Sequence, residues 1–365
     1  MSSRGNLEFD IKCIQLDPNA GLCNPFVSPA FGVASCTNVI MIEPSGPSIQ
    51  TAIIFASLSA TVTNPYVVSL CPGVYTENVT LSSNVHLSAS TPAFQIGSNV
   101  TGALVSNHNP VTITGTIIDN GVEVVTSLSG ITLDGPLNVA SSTSFIGLNN
   151  CMIRGNMLCS GRIDLRGCVG DRTVGMTHTI RPQGGIGALI TWNGNELGGT
   201  TVGLATVFVL EGGNVDGLAR INLYNVTMNG RFETRVGALS TIPSNLIVIQ
   251  NSSVRYPVAA GTTPVDRMFY HDTVVGGGIG STRVIITNSS IDSAAGLHPI
   301  ALNSLAAGTA PRYTMAGVGF VGGVTPPAPG FPLDDADAGA PPSLLGGPLS
   351  DPGFGVIDGI PAATY

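Results

Sequence analysis

The chain has 365 residues, 43% of them hydrophobic and only 10% charged, against about 25% charged in ordinary soluble domains. Its net charge of −8 disfavours nucleic acid, which is held by clustered Lys and Arg. No apolar run approaches the roughly 18 residues of a membrane span, and the start, Met1-Ser2-Ser3-Arg4-Gly5, lacks an apolar signal core.

Residues 1–44 show no clear period and are expected to form an extended arm. Cys13, Cys23 and Cys36 lie in it and are candidates for pairing, although spacing does not assign the pairs. Seven cysteines is an odd number with no metal-type spacing, so neither a metal nor another cofactor is expected. Lys12 is the only lysine; the other cations are arginines, which reads as genome composition. Next comes Ser45-Gly46-Pro47-Ser48, followed by Ile49, Ala52, Ile53 and Ala56. That spacing predicts a helix over 48–58 with one apolar face. Ser45 or Ser48 serves as its N-cap and Pro47 suits the first turn. The helix is placed to cover the open end of whatever follows.

From Tyr66 the pattern changes. Tyr66-Val67-Val68-Ser69-Leu70 reads as a strand, Cys71-Pro72-Gly73 as a turn, and 78–81 and 84–87 as short alternating strands. Strands of four to six residues with turn residues between them and no intervening helices argue an all-β chain. Ile221-Asn222-Leu223-Tyr224-Asn225-Val226-Thr227-Met228 then repeats as 247–254 and again as 284–291. Each copy has alternating apolar residues, an Asn, two small residues and an apolar residue. Weaker copies lie around Gly130, Asn150 and Gly167, with Gly115 as a further candidate. A repeat of this length signals stacked coils. A strand that bends sharply needs a residue in the left-handed region, where Gly and Asn go at least cost. Asn150, Asn225, Asn251, Asn288, Gly130 and Gly167 are therefore expected to form one turn column, with the Asn amides laddering. About a dozen coils, some 60 Å of stack, are expected at the usual strand spacing. Cys151 and Cys168, each one residue past an anchor, are expected as buried thiols. The domain reading is an arm over 1–44, a coil stack over 45–325 and a Pro/Gly-rich tail over 326–365.

The segments Ser48-Ile49-Gln50-Thr51-Ala52-Ile53 and Cys71-Pro72-Gly73-Val74-Tyr75-Thr76-Glu77-Asn78-Val79 resemble the first turns of the pectin-lyase-like superfamily. The resemblance covers about 40 residues closely and implies a single-stranded right-handed parallel β-helix with a capping helix. The catalytic motifs of the superfamily's esterases, polygalacturonases and calcium-dependent lyases are not found, so no enzyme activity is carried over.

Glycoside hydrolysis needs two carboxylates at a set separation. The densest charged patch holds Asp164, Arg166, Asp171 and Arg172, with Arg162 and Arg154 near. Asp164 and Arg166, two apart on a strand, point the same way, which reads as a surface ion pair. Arg267, His271 and Asp272 are placed in one loop excursion, and His178 and Arg181 in another. Trp192 reads as packed in a strand. Sequons begin at Asn78, Asn99, Asn225, Asn251 and Asn288 and are attributed to turn chemistry. The expected role is a structural β-helix: a minor capsid, spike or fibre component of a virion, or part of another surface assembly. It would join other copies or other assembly proteins through its terminal arms, with a homotrimer as one form. The alternative is a carbohydrate-active enzyme or glycan-binding module, with glycan as ligand.

Overall fold

The computed structural model describes residues 38–90, 94–96, 106–212, 217–236, 245–256, 268–272, 282–293, 300–303, 312–321 and 333–334. Cys13, Cys23, Cys36, Arg267, Asn99 and all of the expected tail except 333–334 lie outside the described residues.

Among the described residues the chain is all-β, with three parallel sheets and one α-helix. It visits the sheets in a fixed order. Phe145–Asn149 lies in the first sheet, Met152–Ile153 in the second and Met157–Cys159 in the third; Arg162–Arg166 then returns to the first beside Phe145–Asn149. Each circuit adds one parallel strand to the growing stack, a connectivity that matches a parallel β-helix. The first sheet has eleven strands, somewhat fewer than the dozen coils expected. Coils lengthen along the chain: Phe145 pairs with Arg162, whereas Leu246 pairs with Arg283. An antiparallel hairpin, Phe94–Ile96 with Ser106–His108, interrupts the second circuit. At the ends, Asn38–Ile42, which falls within the expected arm, pairs with Tyr66–Leu70, and Leu333–Asp334 pairs with Ile300–Ala301.

Strand alternation puts one set of side chains inside. Leu128, Leu148, Leu165, Trp192, Leu223, Ile249 and Ile286 are register partners in successive coils, and each is fully buried. Trp192 donates its indole N–H to the Cys168 carbonyl at 3.2 Å, which satisfies its one polar atom. In the third sheet Met157, His178, Phe208, Phe232 and Phe269 form a second inner column. Phe208, Phe232 and Phe269 stack at centroid separations of 5.9 and 5.2 Å.

The helix α1, Ile49–Ser57, starts where the spacing predicts. Ser48 accepts the Thr51 N–H at 3.1 Å, and Ile49, Ala52, Ile53 and Ala56 are buried. Its first turn is tied down twice. The Glu77 carboxylate accepts the N–H groups of Ile49 and Gln50 at 2.9 and 3.1 Å, satisfying two donors that a helix start leaves free. The Gln50 amide meets both backbone groups of Thr80, accepting its N–H at 2.6 Å and donating to its carbonyl at 3.4 Å. A side chain thereby stands in for a neighbouring strand at the end of the third sheet.

Gly115, Gly135 and Gly155 form a different column from the one the sequence suggested for Gly115. They sit at the turn between the second and third sheets, where coils touch. A Cβ on Gly155 would lie 2.0 Å from the Gly135 carbonyl oxygen, and one on Gly135 2.2 Å from that of Gly115. The obstacle is backbone, so the coils themselves must part. Gly155→Ala is expected to lower the unfolding free energy by about 3 kcal/mol, the upper end for overpacking. Urea denaturation should read this as a lower midpoint at unchanged slope.

Candidate functional site

The residue that follows each first-sheet strand bends the chain out of the sheet. In eight successive coils it is Gly130, Asn150, Gly167, Gly194, Asn225, Asn251, Asn288 and Gly317, with φ between 48° and 89° throughout. Side chains other than Gly reach this region at a cost of roughly 1–2 kcal/mol, least for Asn. The turn does not break the ladder: the N–H groups of Gly130, Asn150, Gly167, Asn225 and Asn251 donate to the carbonyls of Asn149, Arg166, Asn193, Gln250 and Thr287 in the next coil. Gly194 and Gly317 escaped the sequence reading, though Trp192-Asn193-Gly194 and Met315-Ala316-Gly317 carry the same signal of a strand ending on Gly. Where a Gly follows an Asn in the column, as Gly167 follows Asn150 and Gly317 follows Asn288, the choice has a steric reason. A Cβ on Gly167 would meet the Asn150 amide oxygen at 2.5 Å, and one on Gly317 that of Asn288 at 2.7 Å. The Asn side chain occupies the space that its glycine neighbour leaves. The amide-to-amide bond formed here runs from Asn225 to Asn193 at 3.3 Å, one position off the column.

In the last coils this column borders a groove of about 690 Å³, lined by Asn225–Thr227, Asn251–Ser253, Asn288–Ser290 and Gly317. Its floor is a serine ladder. Ser252 donates to the Gln250 carbonyl at 2.8 Å and accepts the Val226 N–H at 3.1 Å. Ser289 does the same to Thr287 at 2.7 Å and Ser252 at 3.1 Å. Both hydroxyls are spent on the fold. Facing outward are the exposed amides of Asn225, Asn251 and Asn288 and the hydroxyls of Thr227, Ser253 and Ser290, the last two 2.9 Å apart. The groove is a neutral row of donors and acceptors repeating at the coil spacing, with the Arg255–Asp292 pair (3.4 Å) beside it.

The charged patch read from sequence is divided among three places. Asp164, buried on the first sheet, is flanked by Arg166 at 3.3 Å and Arg162 at 3.8 Å. Asp171 belongs to a ladder across three coils, with Arg154 between it (2.7 Å) and Asp134 (3.4 Å). Arg172 pairs with Glu196 at 2.6 Å. A longer chain on the third sheet was not anticipated: Arg181–Glu211–Arg235–Glu233–Arg231, with links of 2.5 to 3.4 Å. Its members are brought together by register, since Glu211 lies opposite Arg235 and Val209 opposite Glu233.

Neither histidine excursion exists as expected. His178 is in the strand Met176–Ile180 and His271 in Phe269–Asp272, both buried. His178 accepts the Met157 N–H at 3.2 Å and its Nε2 has no partner. His271 meets the Thr234 hydroxyl at 2.7 Å. His86, on the first sheet, accepts the Ser127 N–H at 3.1 Å with the Ser127 hydroxyl 3.0 Å away. Burial pushes His178 and His271 down to about 3 and His86 down to about 4, so all three are neutral at physiological pH. Cys151, Cys159 and Cys168 are free and fully buried; burial pushes the Cys159 thiol up to about 12 and raises that of Cys168 well above its usual value. Cys159 and Cys168 are packing groups rather than nucleophiles; at Cys151 the effect of burial is outweighed by hydrogen bonds to Cys168 and to the backbone, which lower the pKa of its thiol.

Among the described residues, no three His, Cys, Asp or Glu are grouped to hold a metal ion, and no helix is long and apolar enough to cross a membrane. Comparison with protein-family models, with curated proteins and with solved structures finds no match.

Proposed function

We propose that this chain is a structural rod: a right-handed parallel β-helix, capped by α1 at its first coil, that serves as a capsid, spike or fibre component of a virion or as part of another surface assembly. The observation that carries this reading is where the ionisable groups go. Asp134, Asp164, Asp171, Glu196, Glu211, Glu233 and Asp292 all pair with arginines of the same chain. Glu77 and Asp119 are held by backbone N–H groups, three of them on Asp119 at 2.8 to 3.1 Å. Charged side chains committed in this way to partners of the same chain serve the stack of coils. Electron microscopy of the purified full chain tests the proposal. Rods joined into larger particles are expected; isolated monomers at all concentrations would count against it.

The groove favours a second reading, a glycan-binding module, because a neutral row of amides and hydroxyls suits the hydroxyls of a saccharide chain. On that reading, Asn251→Asp and Ser253→Ala would each weaken retention on a polysaccharide column without changing the melting temperature by more than a few degrees. Equal retention of the variants and the parent, or none by either, contradicts it.

A further inference from the structure

Nine large apolar side chains are exposed among the described residues, and five of them, Ile54, Phe55, Leu58, Val62 and Val74, belong to the first coil and its helix. Phe55 and Leu58 are 65% and 79% exposed although α1 has its own buried face. A helix that packs one side and leaves Phe and Leu on the other has an uncovered apolar surface, and such patches mark contact sites. At the same end, Asn38–Ile42 closes the first sheet with a single strand neighbour among the described residues. An open edge with the apolar sequence Asn-Val-Ile-Met-Ile is a template for another strand.

We propose that this end of the stack is a self-association surface whose occupant is the same end of a second copy. The choice of occupant follows from charge. Asn38–Ile42 and residues 44–76 contain no Asp, Glu, Lys, Arg or His, and the one charge between them is the exposed Glu43, so the surface repels an acidic partner and offers a basic one a single carboxylate at its margin. Anionic lipid would call for Lys and Arg, which are missing here. An apolar face beside an open sheet edge is complementary to itself: under a twofold axis each copy brings both features, and only one carboxylate per copy, the exposed Glu43 at the margin, has to be kept apart. This inference rests on the assembly reading above and assigns it a contact.

Light scattering and sedimentation of the full chain over a range of concentrations test it, alongside Phe55→Glu and Leu58→Glu. Both positions are solvent-exposed, so a monomeric variant should keep its circular dichroism and melting temperature. The expected result is a concentration-dependent dimer of the parent whose dissociation constant rises about tenfold or more in either variant, as for a central contact residue. Leu58→Cys, which does not burden the fold with charge, should in addition crosslink between copies with a short bismaleimide. Association that persists unchanged in both glutamate variants would overturn this surface while leaving the assembly reading intact. A parent that stays monomeric would overturn it too. Slow, concentration-independent alkylation of Leu58→Cys would then identify residues 1–37 of the same chain as the cover.

Discussion

Acid is expected to destabilise this protein from about pH 6.5 downward, before its carboxylates begin to titrate. His86, His178 and His271 are buried, and their folded pKa values lie at about 4, 3 and 3, below the ordinary 6.5. Above pH 6.5 each is neutral in both the folded and the unfolded chain, and none contributes a pH dependence. Below it the unfolded chain binds protons that the folded chain refuses, so stability falls as pH falls. The loss continues until the folded pKa is reached, and over that window each histidine contributes about 1.4 kcal/mol per pH unit. Three histidines over two units amount to a loss on the order of 8 kcal/mol by pH 4.5, comparable to the whole stability of many domains. Urea titrations at pH 7, 6 and 5 measure the slope. His178→Leu removes an imidazole whose Nε2 has no partner and should reduce the slope by about one proton. A slope that stays flat from pH 7 to pH 5 would mean that these rings are solvated.

Phe232→Ala is expected to cost about 3–5 kcal/mol, the range for deleting a fully buried aromatic. Phe232 is the middle of the three-ring stack, between Phe208 at 5.9 Å and Phe269 at 5.2 Å. Both neighbours lose a face, and the strand that carries Phe232, Thr227–Val236, pairs with four earlier or later strands and cannot close in without shifting them. The resulting void should appear as a lower denaturation midpoint with little change in slope. Phe232→Leu, which retains most of the volume, should recover over half of the loss. Equal effects of the two substitutions would show that the rings do not pack as an inner column.

The sequence was most legible where one residue had one cause. Positions with φ near 50° to 68° at Gly130, Asn150, Gly167, Asn225, Asn251 and Asn288 can be read from local pattern alone, because the backbone there excludes most side chains. The helix 48–58 was equally local: cap, apolar spacing and a β-branched run to end it. Other features depend on which residues stack across coils, and coil length varies. Gly115 was assigned to the wrong turn because a glycine pressed against a neighbouring backbone looks, in one dimension, like a glycine at a bend. The Arg181–Glu211–Arg235–Glu233–Arg231 chain could not be read, since its members are 2 to 30 residues apart and meet only through register. His178 and His271 were misplaced for a related reason: Met-Thr-His-Thr-Ile and Phe-Tyr-His-Asp carry too few aliphatic residues to announce a strand, and it is the aromatic column that gives them one.

The same register dependence explains why the groove escaped notice as a surface. Each Asn-x-Ser/Thr triplet has a sufficient local reason in its own turn. Only stacking aligns three of them into a row, with the middle residue of each triplet (Val226, Ser252, Ser289) facing in and the amide facing out.

Cryo-electron microscopy of the full chain in its assembled state tests the structural reading most directly. The account predicts ten or so coils in three parallel sheets, joined to neighbouring copies through the apolar end formed by α1 and Asn38–Ile42. Isolated rods whose groove along Asn225, Asn251 and Asn288 is filled by a bound saccharide would contradict it.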